Sequence, residues 1–513
     1  MKEKLKMNKL LKKIIVLGLT ITALSNTPAV STQTTNFVNY PARVPQTDMG
    51  ITQQSNSNIV WLQDAKFGMF IHWGVYSGPG EGEWYMQNAA VTPHDYAQFV
   101  QSSSGKNYFQ ADQYDPNAWV QLAVDAGMKY VTLTARHHDG YALFPSQHPA
   151  AWTSMQTHGK DFIASFVTAV RNKGLKVGLY YSPINWQFPG YYDVHGTGCA
   201  RNPWNYTTDP AHKENARIMK NLVYEQVKYI MTKYGTIDQL WWDGGWIAEK
   251  GSDRDGAFFW EPGKYRDKTN QWPIDSKYND IDATGQSLGL MGIVRKYQPN
   301  IIATSRSGWM GDILNEEGGA PTVTGQLRGA DNGQVYERCY TMGSKWGYVN
   351  NGSSMSYSRV IRLLSDCSVH NMSLLLNVTP DRHGVIPIEQ QNVLRSVGSF
   401  LSKAGESIYN TRGGPWQPVN GKYGFTYNGN KVYIHILPGY SGETITTPAF
   451  GNNNIVTGVY NVYDKTSLSF IKNSDTSITI SGLNRSQHMD DTVVGIILST
   501  TLDTTNHNIV LKN

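Results

Sequence analysis

The sequence is poor in cysteine, and beyond its amino terminus it lacks an apolar run long enough to span a membrane. Its three cysteines, Cys199, Cys339 and Cys367, are too few and too scattered for a disulfide framework. One pair could form, but we expect none. The CxxC and HExxH spacings typical of metal sites do not occur. With 513 residues, 40% of them hydrophobic, the chain can instead build a large core and more than one domain.

Charge is also scarce, and neither sign dominates in the body of the chain. Only 17% of the residues are charged, and the formal net charge of +5 comes from residues 1–13, which hold six lysines and Glu3. Setting these aside leaves 39 basic and 39 acidic residues of the totals of 45 and 40. A chain balanced in this way has no electrostatic footprint for nucleic acid or anionic lipid, so we expect neither as a partner.

The amino terminus has the pattern of a secretory signal peptide over residues 1–31. Its lysines precede an uncharged, largely apolar run at 14–24, and small residues follow that run. The run is about half as long as a bilayer span requires, so we expect no stable membrane anchor. Residues 32–55, rich in Thr, Gln, Asn and Ser, are expected to form a flexible leader. The mature protein is therefore expected to be secreted and extracellular.

Strand-like and helix-like stretches alternate between residues 56 and 410. This alternation predicts a parallel sheet, and the length of the region favours an α/β fold of the (β/α)8 type, a TIM-like barrel, over an open sheet. We expect a distorted barrel, because the region after Trp84 and the segment 320–350 are irregular in pattern. The predicted strands are 68–73, 130–135, 176–182, 239–243, 301–305 and 373–378. The predicted helices are 161–173, 211–233, 286–297, 358–369 and 389–403.

The pattern changes after residue 403, where long helical stretches end. Residues 410–422 are rich in Gly and Pro, and beyond them short runs alternate apolar and polar residues between turn signals. This pattern predicts a C-terminal antiparallel β-sandwich over residues 411–513. The predicted strands are 431–437, 456–463, 467–472, 477–480 and 492–498.

One predicted barrel strand ends in a single carboxylate. Residues 237–242 are mostly apolar, which is typical of a strand covered on both faces, and Gly244 and Gly245 then break the strand. Asp243 therefore lies at the mouth of this strand among aromatic residues, where a carboxylate costs desolvation energy. Such an aspartate could simply cap the next turn, but the residues that follow the other strands favour a catalytic role.

Polar and aromatic residues follow the other predicted strands as well. The carboxyl ends of parallel strands meet on one face of a barrel, where active sites are built. Groups that bind hydroxyls are interleaved there with flat aromatic faces, a mixture that suits a sugar, and two carboxylates are what a glycosidase needs. The residues concerned are His72, Glu83, Trp84, His137, His138, Tyr180, Trp241, Asp243, Arg306, Glu316 and Glu317.

Several of these residues also have structural explanations. A single histidine such as His72 is more often a satisfied structural residue than a ligand. His137 and His138 could bind a metal, but neighbouring residues on a strand face opposite ways, so we expect no metal site. For the same reason one of Trp241 and Trp242 is expected in the core.

The motifs in combination resemble those of the α-L-fucosidases of glycoside hydrolase family twenty-nine. The similar stretches are 66–74, 83–85, 137–140, 178–180, 241–243, 346–348 and 374–378, within a resemblance that covers about residues 58–410. The resemblance implies a (β/α)8-like catalytic domain followed by a β-sandwich, and retaining hydrolysis of α-L-fucosides without a cofactor or metal. By the same resemblance Asp243 matches the nucleophile. The positions that match fucose contacts are His72, Glu83, Trp84, His137, His138, Tyr180, Trp241 and Arg306.

The general acid is less clearly marked than the nucleophile. Members of the family often show a Gly-Asp-aromatic run with Glu five residues after the Asp, and from Asp312 this register selects Glu317. Glu316 stays an alternative, since a shift of one residue in a loop would exchange the two. The chain also departs from the family in having Arg136 where lysine is usual.

Two other functions stay open on the sequence alone. A hydrolase of the same fold could act on a related sugar such as an α-L-galactoside, because the sequence does not show the wall around C6 of the sugar. The chain could also be a fucose-binding protein that has lost catalysis, although Asp243 together with Glu316 or Glu317 argues against this. The expected substrate is a fucosylated oligosaccharide or glycoconjugate whose linkage the sequence does not define.

The signal peptide gives the first testable prediction. The mature protein should begin within residues 24–35, where the small residues follow the apolar run. Amino-terminal sequencing of active protein from the culture medium measures this directly. Finding Met1 intact on that material would contradict cleavage.

Overall fold

The structure is a computed structural model, and it covers the expected catalytic region and sandwich with a few gaps. The residues described are 37–38, 40–48, 50–101, 103, 105–188, 210–244, 260, 274–318, 327–486, 488–502 and 504. The predicted signal peptide, residues 32–36 of the predicted leader and Cys199 lie outside them. Cys339 and Cys367 are free and buried. Among the described helices, none is long and apolar enough to cross a membrane.

In the part of the chain that the structure describes, eight parallel strands form the barrel. They follow one another in the order β6-β7-β8-β1-β2-β3-β4-β5, and a parallel bridge from Thr304 to Ile313 joins the last to the first. The ring is therefore closed, which confirms the predicted barrel. The strands are β1 (Phe67–Ile71), β2 (Tyr130–Arg136), β3 (Lys176–Tyr181), β4 (Gln239–Trp242), β5 (Ile302–Ala303), β6 (Ile313–Glu317), β7 (Val335–Thr341) and β8 (Met372–Val378).

Helices surround this barrel, and the five predicted from the sequence occur close to their expected positions. Asp161 illustrates how they begin, because its carboxylate accepts a hydrogen bond from the Ala164 N–H and caps the sixth helix. The helices are α1 (Asn56–Ala65), α2 (Tyr85–Asn88), α3 (Pro93–Gln101), α4 (Pro116–Asp125), α5 (Ser154–His158), α6 (Phe162–Asn172), α7 (Pro210–Lys233), α8 (Gly289–Tyr297), α9 (Tyr357–Val369) and α10 (Ile388–Ala404). Short 3₁₀ turns lie at Val75–Ser77, Arg306–Gly308 and Gly405–Ser407.

The barrel is distorted between β5 and β6, whereas distortion was expected from the region after Trp84 and from the segment 320–350. No α-helix separates these strands, because the chain turns back through Arg306–Gly308 within nine residues. Gly311 has a φ of +68°, and a Cβ there would lie 2.4 Å from the backbone nitrogen of Ser305, so only glycine fits this tight turn. Strand β6 was not predicted from the sequence. The expectation that the segment 320–350 is irregular was wrong for the part of it that forms β7.

Side chains of the barrel strands alternate between the interior and the surrounding helices. Tyr130 points inward beside Gly68, where an added Cβ would come within 2.4 Å of the tyrosine ring. Trp241 and Trp242 face opposite ways, as expected. Trp241 packs with the interior aromatics, and Trp242 packs with Trp309 on the helix side. This period of two decides which side chains reach the mouth of the barrel.

The C-terminal region forms two packed antiparallel sheets, which confirms the predicted sandwich. The five-stranded sheet has the order β9-β10-β11-β16-β13, and the three-stranded sheet has the order β12-β15-β14. Their strands are β9 (Arg412–Gly413), β10 (Tyr423–Asn428), β11 (Lys431–Ile436), β12 (Ile445–Thr446), β13 (Val456–Asn461), β14 (Ser469–Lys472), β15 (Ile478–Ser481) and β16 (Thr492–Leu498). Phe425, Ile434 and Ile496 lie in the core between the sheets. Asp491 accepts hydrogen bonds from Ser365 of α9 and His435 of β11, which ties the sandwich to the barrel.

Candidate active site

A small pocket lies at the carboxyl ends of the barrel strands. Its volume is about 100 Å³, well below the roughly 300–1,000 Å³ of pockets that enclose drug-sized ligands. The pocket therefore has the size of one small ligand group. Ten residues singled out from the sequence line it, namely His72, Glu83, Trp84, His137, His138, Tyr180, Trp241, Asp243, Arg306 and Glu317.

Asp243 is the most constrained carboxylate of this pocket. The Tyr180 hydroxyl donates to its Oδ2 at 2.8 Å, while Arg306 Nη1 and the Gly244 N–H donate to its Oδ1 at 3.0 and 2.9 Å. His138 Nε2 lies 3.6 Å from Oδ2. These donors stabilise the carboxylate and fix its orientation, while 13% of the side chain stays exposed to the pocket.

Arg306 bridges two carboxylates of the pocket. Its Nη1 binds Asp243 and its Nη2 binds Glu317, so the two acids sit at the two ends of one planar guanidinium. The guanidinium lies 5.0 Å from the ring centre of Trp241, over its face. Burial acts to lower the pKa of Arg306, but the charges of Asp243 and Glu317 outweigh burial and raise this pKa above its ordinary value. Arg306 is therefore a permanent cation between the two acids.

Glu316 and Glu317 lie next to each other on strand β6. Because they are neighbours on a strand, their side chains point to opposite faces. Glu317 points inward, where Trp346 Nε1 donates to its Oε1 at 3.1 Å. Glu316 points outward and is paired with Arg338 and Arg328. The expectation that both lie in one loop was wrong, and Glu316, the alternative acid, does not line the pocket.

His137 and His138 both reach the pocket, contrary to the prediction that they face opposite ways. They follow the end of β2 at Arg136, so the alternation of a strand no longer applies, and their ring centres lie 4.1 Å apart. Burial lowers the pKa of both imidazoles well below the ordinary value. Both are therefore neutral at pH 7 and present hydrogen-bonding nitrogens without charge.

His72 is held in a defined tautomer by Asn377 of β8. The amide nitrogen of Asn377 donates to the Trp346 carbonyl at 2.8 Å, so its Oδ1 is the atom that accepts from His72 Nδ1, also at 2.8 Å. Nε2 is then the acceptor nitrogen of the ring. Burial lowers the pKa of His72 to about 4, although the Asn377 hydrogen bond opposes this. His72 is therefore neutral at neutral pH.

Glu83 and Trp84 enter the pocket from the loop after β1. The Gly347 N–H donates to Glu83 Oε2 at 2.7 Å. Burial raises the pKa of Glu83, and the hydrogen bond from Gly347 opposes the rise. Trp84 packs with Trp186 and His138 at ring distances of 5.0 and 5.5 Å.

Three residues that matter to the site were not assigned to it from the sequence. Phe70 and Trp346 line the pocket. Phe70 could have been found, because it lies two residues before His72 on the same face of β1. Trp346 belongs to a stretch that resembles the fucosidase motifs. Glu337 carried no signal, because β7 was not recognised as a strand.

Glu337 is fully buried in the barrel interior beneath the pocket. Its carboxylate accepts four hydrogen bonds of 2.8–3.0 Å. The donors are Tyr130 of β2, Gln239 and Trp241 of β4, and Asn315 of β6. Burial raises its pKa, and the four donors oppose that rise. Glu337 thus fixes the indole of Trp241 and the strand that carries Glu317.

The arrangement also contains one group with metal-ligating potential. Ligand atoms of His137, His138 and Asp243 lie within 4.8 Å of one another. The oxygens of Asp243 are already engaged by Tyr180 and Arg306, and the guanidinium would repel a cation bound next to it. The donor set therefore fits a metal poorly.

A pocket at the mouth of a (β/α)8 barrel, with aromatic walls and one cation between two of its carboxylates, defines a glycosidase-type site. The family model for alpha-L-fucosidases matches residues 40–406. The chain belongs to the alpha-L-fucosidase family.

Individual relatives agree with this membership. The alpha-L-fucosidase of Dictyostelium discoideum is 28% identical over 426 residues, which cover 77% of this chain and 81% of that protein. Alpha-L-fucosidase isoenzyme 1 from Paenibacillus thiaminolyticus is 27% identical, with a TM-score of 0.67 over 86% of this chain and 99% of its own. The Thermotoga maritima alpha-fucosidase in complex with a mechanism-based inhibitor is 26% identical, with a TM-score of 0.60 over 85% and 96%.

The donor set predicts the response to metals. Dialysis against EDTA should leave the rate of glycoside hydrolysis unchanged, because Arg306 supplies the positive charge beside Asp243. Added Zn²⁺ should inhibit if it has any effect, since it would compete for the Asp243 oxygens. Steady-state rates before and after dialysis, with metal content checked by mass spectrometry, measure this. Loss of activity that returns with one divalent metal would contradict the prediction.

Proposed function

We propose that the protein is a secreted, exo-acting α-L-fucosidase that hydrolyses its substrate with retention of configuration through a covalent fucosyl-enzyme. One observation carries the proposal: Arg306 holds Asp243 and Glu317 on opposite ends of its guanidinium in a pocket sized for one sugar. Retaining glycosidases use two closely spaced carboxyl groups, one as the nucleophile and the other as the acid and base. A relative crystallised with a mechanism-based inhibitor fits such a covalent step.

Asp243 is proposed as the nucleophile. In the first step one of its oxygens forms a bond to the anomeric carbon while the bond from that carbon to the leaving oxygen breaks. Tyr180 and Arg306 keep the carboxylate aimed, so little reorganisation is needed at the moment of attack. Because only a small fraction of the Asp243 side chain is exposed, little water contacts the reacting carboxylate.

Glu317 is proposed as the general acid and base. It donates a proton to the departing oxygen in the first step, and in the second step it takes a proton from the water that attacks the anomeric carbon and releases Asp243. With 43% of its side chain exposed, Glu317 lies where a leaving group can depart and water can enter. Glu316 is unsuited, because its carboxylate is outside the pocket and held by two arginines.

The remaining lining residues are proposed to bind the sugar. The neutral imidazoles of His72, His137 and His138 can exchange hydrogen bonds with hydroxyls without adding charge. Trp84 and Trp241 offer apolar aromatic surface to the sugar. Comparing an aryl α-L-fucoside with the matching α-L-galactoside distinguishes the proposed substrate from the related sugar. A binding protein without catalysis would release no aryl alcohol from either.

The nucleophile can be tested by removal and chemical rescue. Asp243→Ala should lower kcat by roughly 10⁴-fold or more, because covalent catalysis is lost. Azide should restore part of the turnover of an activated aryl fucoside and give the inverted β-azide, identified by NMR.

Asp238→Ala is the matched control for this test. It removes a carboxylate at the opposite end of β4, where Asp238 pairs with Lys176. It should keep the parent mechanism and give no azide product. Formation of the β-azide by another aspartate variant, and not by Asp243→Ala, would show that the nucleophile is elsewhere.

The two glutamates of β6 give the test of the general acid. Glu317→Ala should reduce kcat/KM on a fucosylated oligosaccharide by roughly 10²- to 10⁴-fold. An aryl fucoside needs little protonation of its leaving group, so its loss should be far smaller. The alkaline limb of the pH–rate profile should flatten, and azide should accelerate turnover with a retained product.

Glu316→Ala is the matched control one residue away. It removes the outward ion pairs with Arg328 and Arg338, so any loss should be similar on both substrates. A loss that depends on the leaving group and follows position 316 would overturn the assignment of Glu317.

A further inference from the structure

A second and larger cleft opens beside the sugar pocket. Its volume is about 1020 Å³, against about 100 Å³ for the pocket itself. Glu317 and Trp346 line both spaces, so the cleft begins where the proposed general acid stands. A molecule that fills the pocket and extends past Glu317 therefore continues into the cleft.

The cleft is built from the end of β7, the loop that follows it and the first turn of α9. The loop is fixed by its own hydrogen bonds, since the Met355 N–H donates to the Met342 carbonyl at 2.7 Å and Thr341 Oγ1 donates to the Lys345 carbonyl at 3.0 Å. The lining combines apolar surface with hydroxyl groups, the mixture that binds saccharides. Its lining includes Tyr340, Met342, Trp346, Ser354, Met355 and Arg359.

Trp346 forms the wall between the two spaces and is held at both ends. Its carbonyl accepts from Asn377 at 2.8 Å, and its indole nitrogen donates to Glu317 at 3.1 Å. Its ring lies 5.3 Å from that of His72, on the pocket side. The wall is therefore positioned by the same network that orients the sugar pocket, which makes the cleft continuous with the reaction site.

The acidic and the basic residue that line the cleft differ in their ion pairing. Among the described lining residues, Glu317 is the acidic one and Arg359 is the basic one. Glu317 is paired with Arg306, whereas the part of the chain that the structure describes provides no ion-pair partner for Arg359. Arg362, the next arginine on α9, is paired with Asp490. Arg359 is thus an exposed cation available to a ligand in the cleft.

We propose that this cleft binds the saccharide released as the leaving group, and that Arg359 favours a leaving saccharide with an acidic substituent, either a carboxylate or a sulfate. The inference rests on the proposed fucosidase function and adds the class of its natural substrate. The cleft volume fits more than one sugar unit. Apolar faces of the saccharide pack on Trp346, Met342 and Met355, and its hydroxyls bond to the polar lining.

The proposal is tested with four substrates that share α-L-fucose. They are an aryl fucoside, a neutral fucosylated trisaccharide, and two trisaccharides that differ from it only by a carboxylate or a sulfate on the leaving part. The parent enzyme should show a kcat/KM about fivefold higher for at least one acidic substrate than for the neutral one, since exposed ion pairs are weak. This preference should shrink as salt is added.

Variants of Arg359 and Arg362 show which arginine causes the preference for an acidic substrate. Arg359→Ala should bring the ratio of acidic to neutral kcat/KM close to one, mainly through KM, and Arg359→Lys should restore part of it. Arg362→Ala is the matched control, because it removes the same charge one turn away but outside the cleft lining, and the ratio should persist. Met355→Ala should cost both saccharides several-fold more than it costs the aryl fucoside.

Binding of the released saccharides gives a readout that does not need turnover. The acidic product should inhibit the parent enzyme competitively and more tightly than the neutral product, and Arg359→Ala should remove that difference. Equal rates on acidic and neutral substrates in the parent enzyme, or an equal loss of preference in Arg362→Ala, would overturn the inference. Failure to hydrolyse the aryl fucoside at all would instead overturn the proposed function itself.

Discussion

The site depends on one buried carboxylate in the middle of the barrel, that of Glu337. Burying a charge in the interior is costly unless hydrogen bonds satisfy it, and Glu337 is satisfied by four donors from three other strands. One of these donors is the indole of Trp241, which forms part of the pocket floor, and another is Asn315, two residues before Glu317. Moving any of these strands would remove one or two of the four donors, so the arrangement of the pocket is tied to the closure of the barrel.

Above Glu337 a cation compensates the charge of two further carboxylates. Arg306 neutralises Asp243 and Glu317 together, and stacking on Trp241 limits its movement. The turn that places Arg306 exists because β5 and β6 are joined without a helix. The distortion of the barrel is therefore what brings the cation and one of its two acids into the pocket.

Most of what the sequence predicted rests on the family resemblance and on the alternation of strand-like and helix-like stretches. Strands β1 to β5, β8 and five helices follow directly from hydrophobic pattern and turn signals. Because His72, Tyr180 and Asp243 stand at the ends of such strands, the sequence alone predicts that they meet on one face. Strands β6 and β7 were missed because polar residues interrupt the apolar run that identifies a buried strand. Strand β6 contains Asn315, Glu316 and Glu317, and strand β7 contains Glu337 and Arg338.

Local pattern and motifs were enough to define the fold class, the family and ten of the residues that line the pocket, since strand ends and motifs can be recognised in short stretches of the chain. The difference between Glu317 and Glu316 appears only in the folded chain, because it depends on β6 pairing with β7 and so presenting alternate side chains to opposite faces. The fold also placed His137 and His138 on one side, since the strand ends before them. The cleft beside Trp346 depends on contacts between residues far apart in the chain, such as Asn377 with Trp346, which no local pattern specifies.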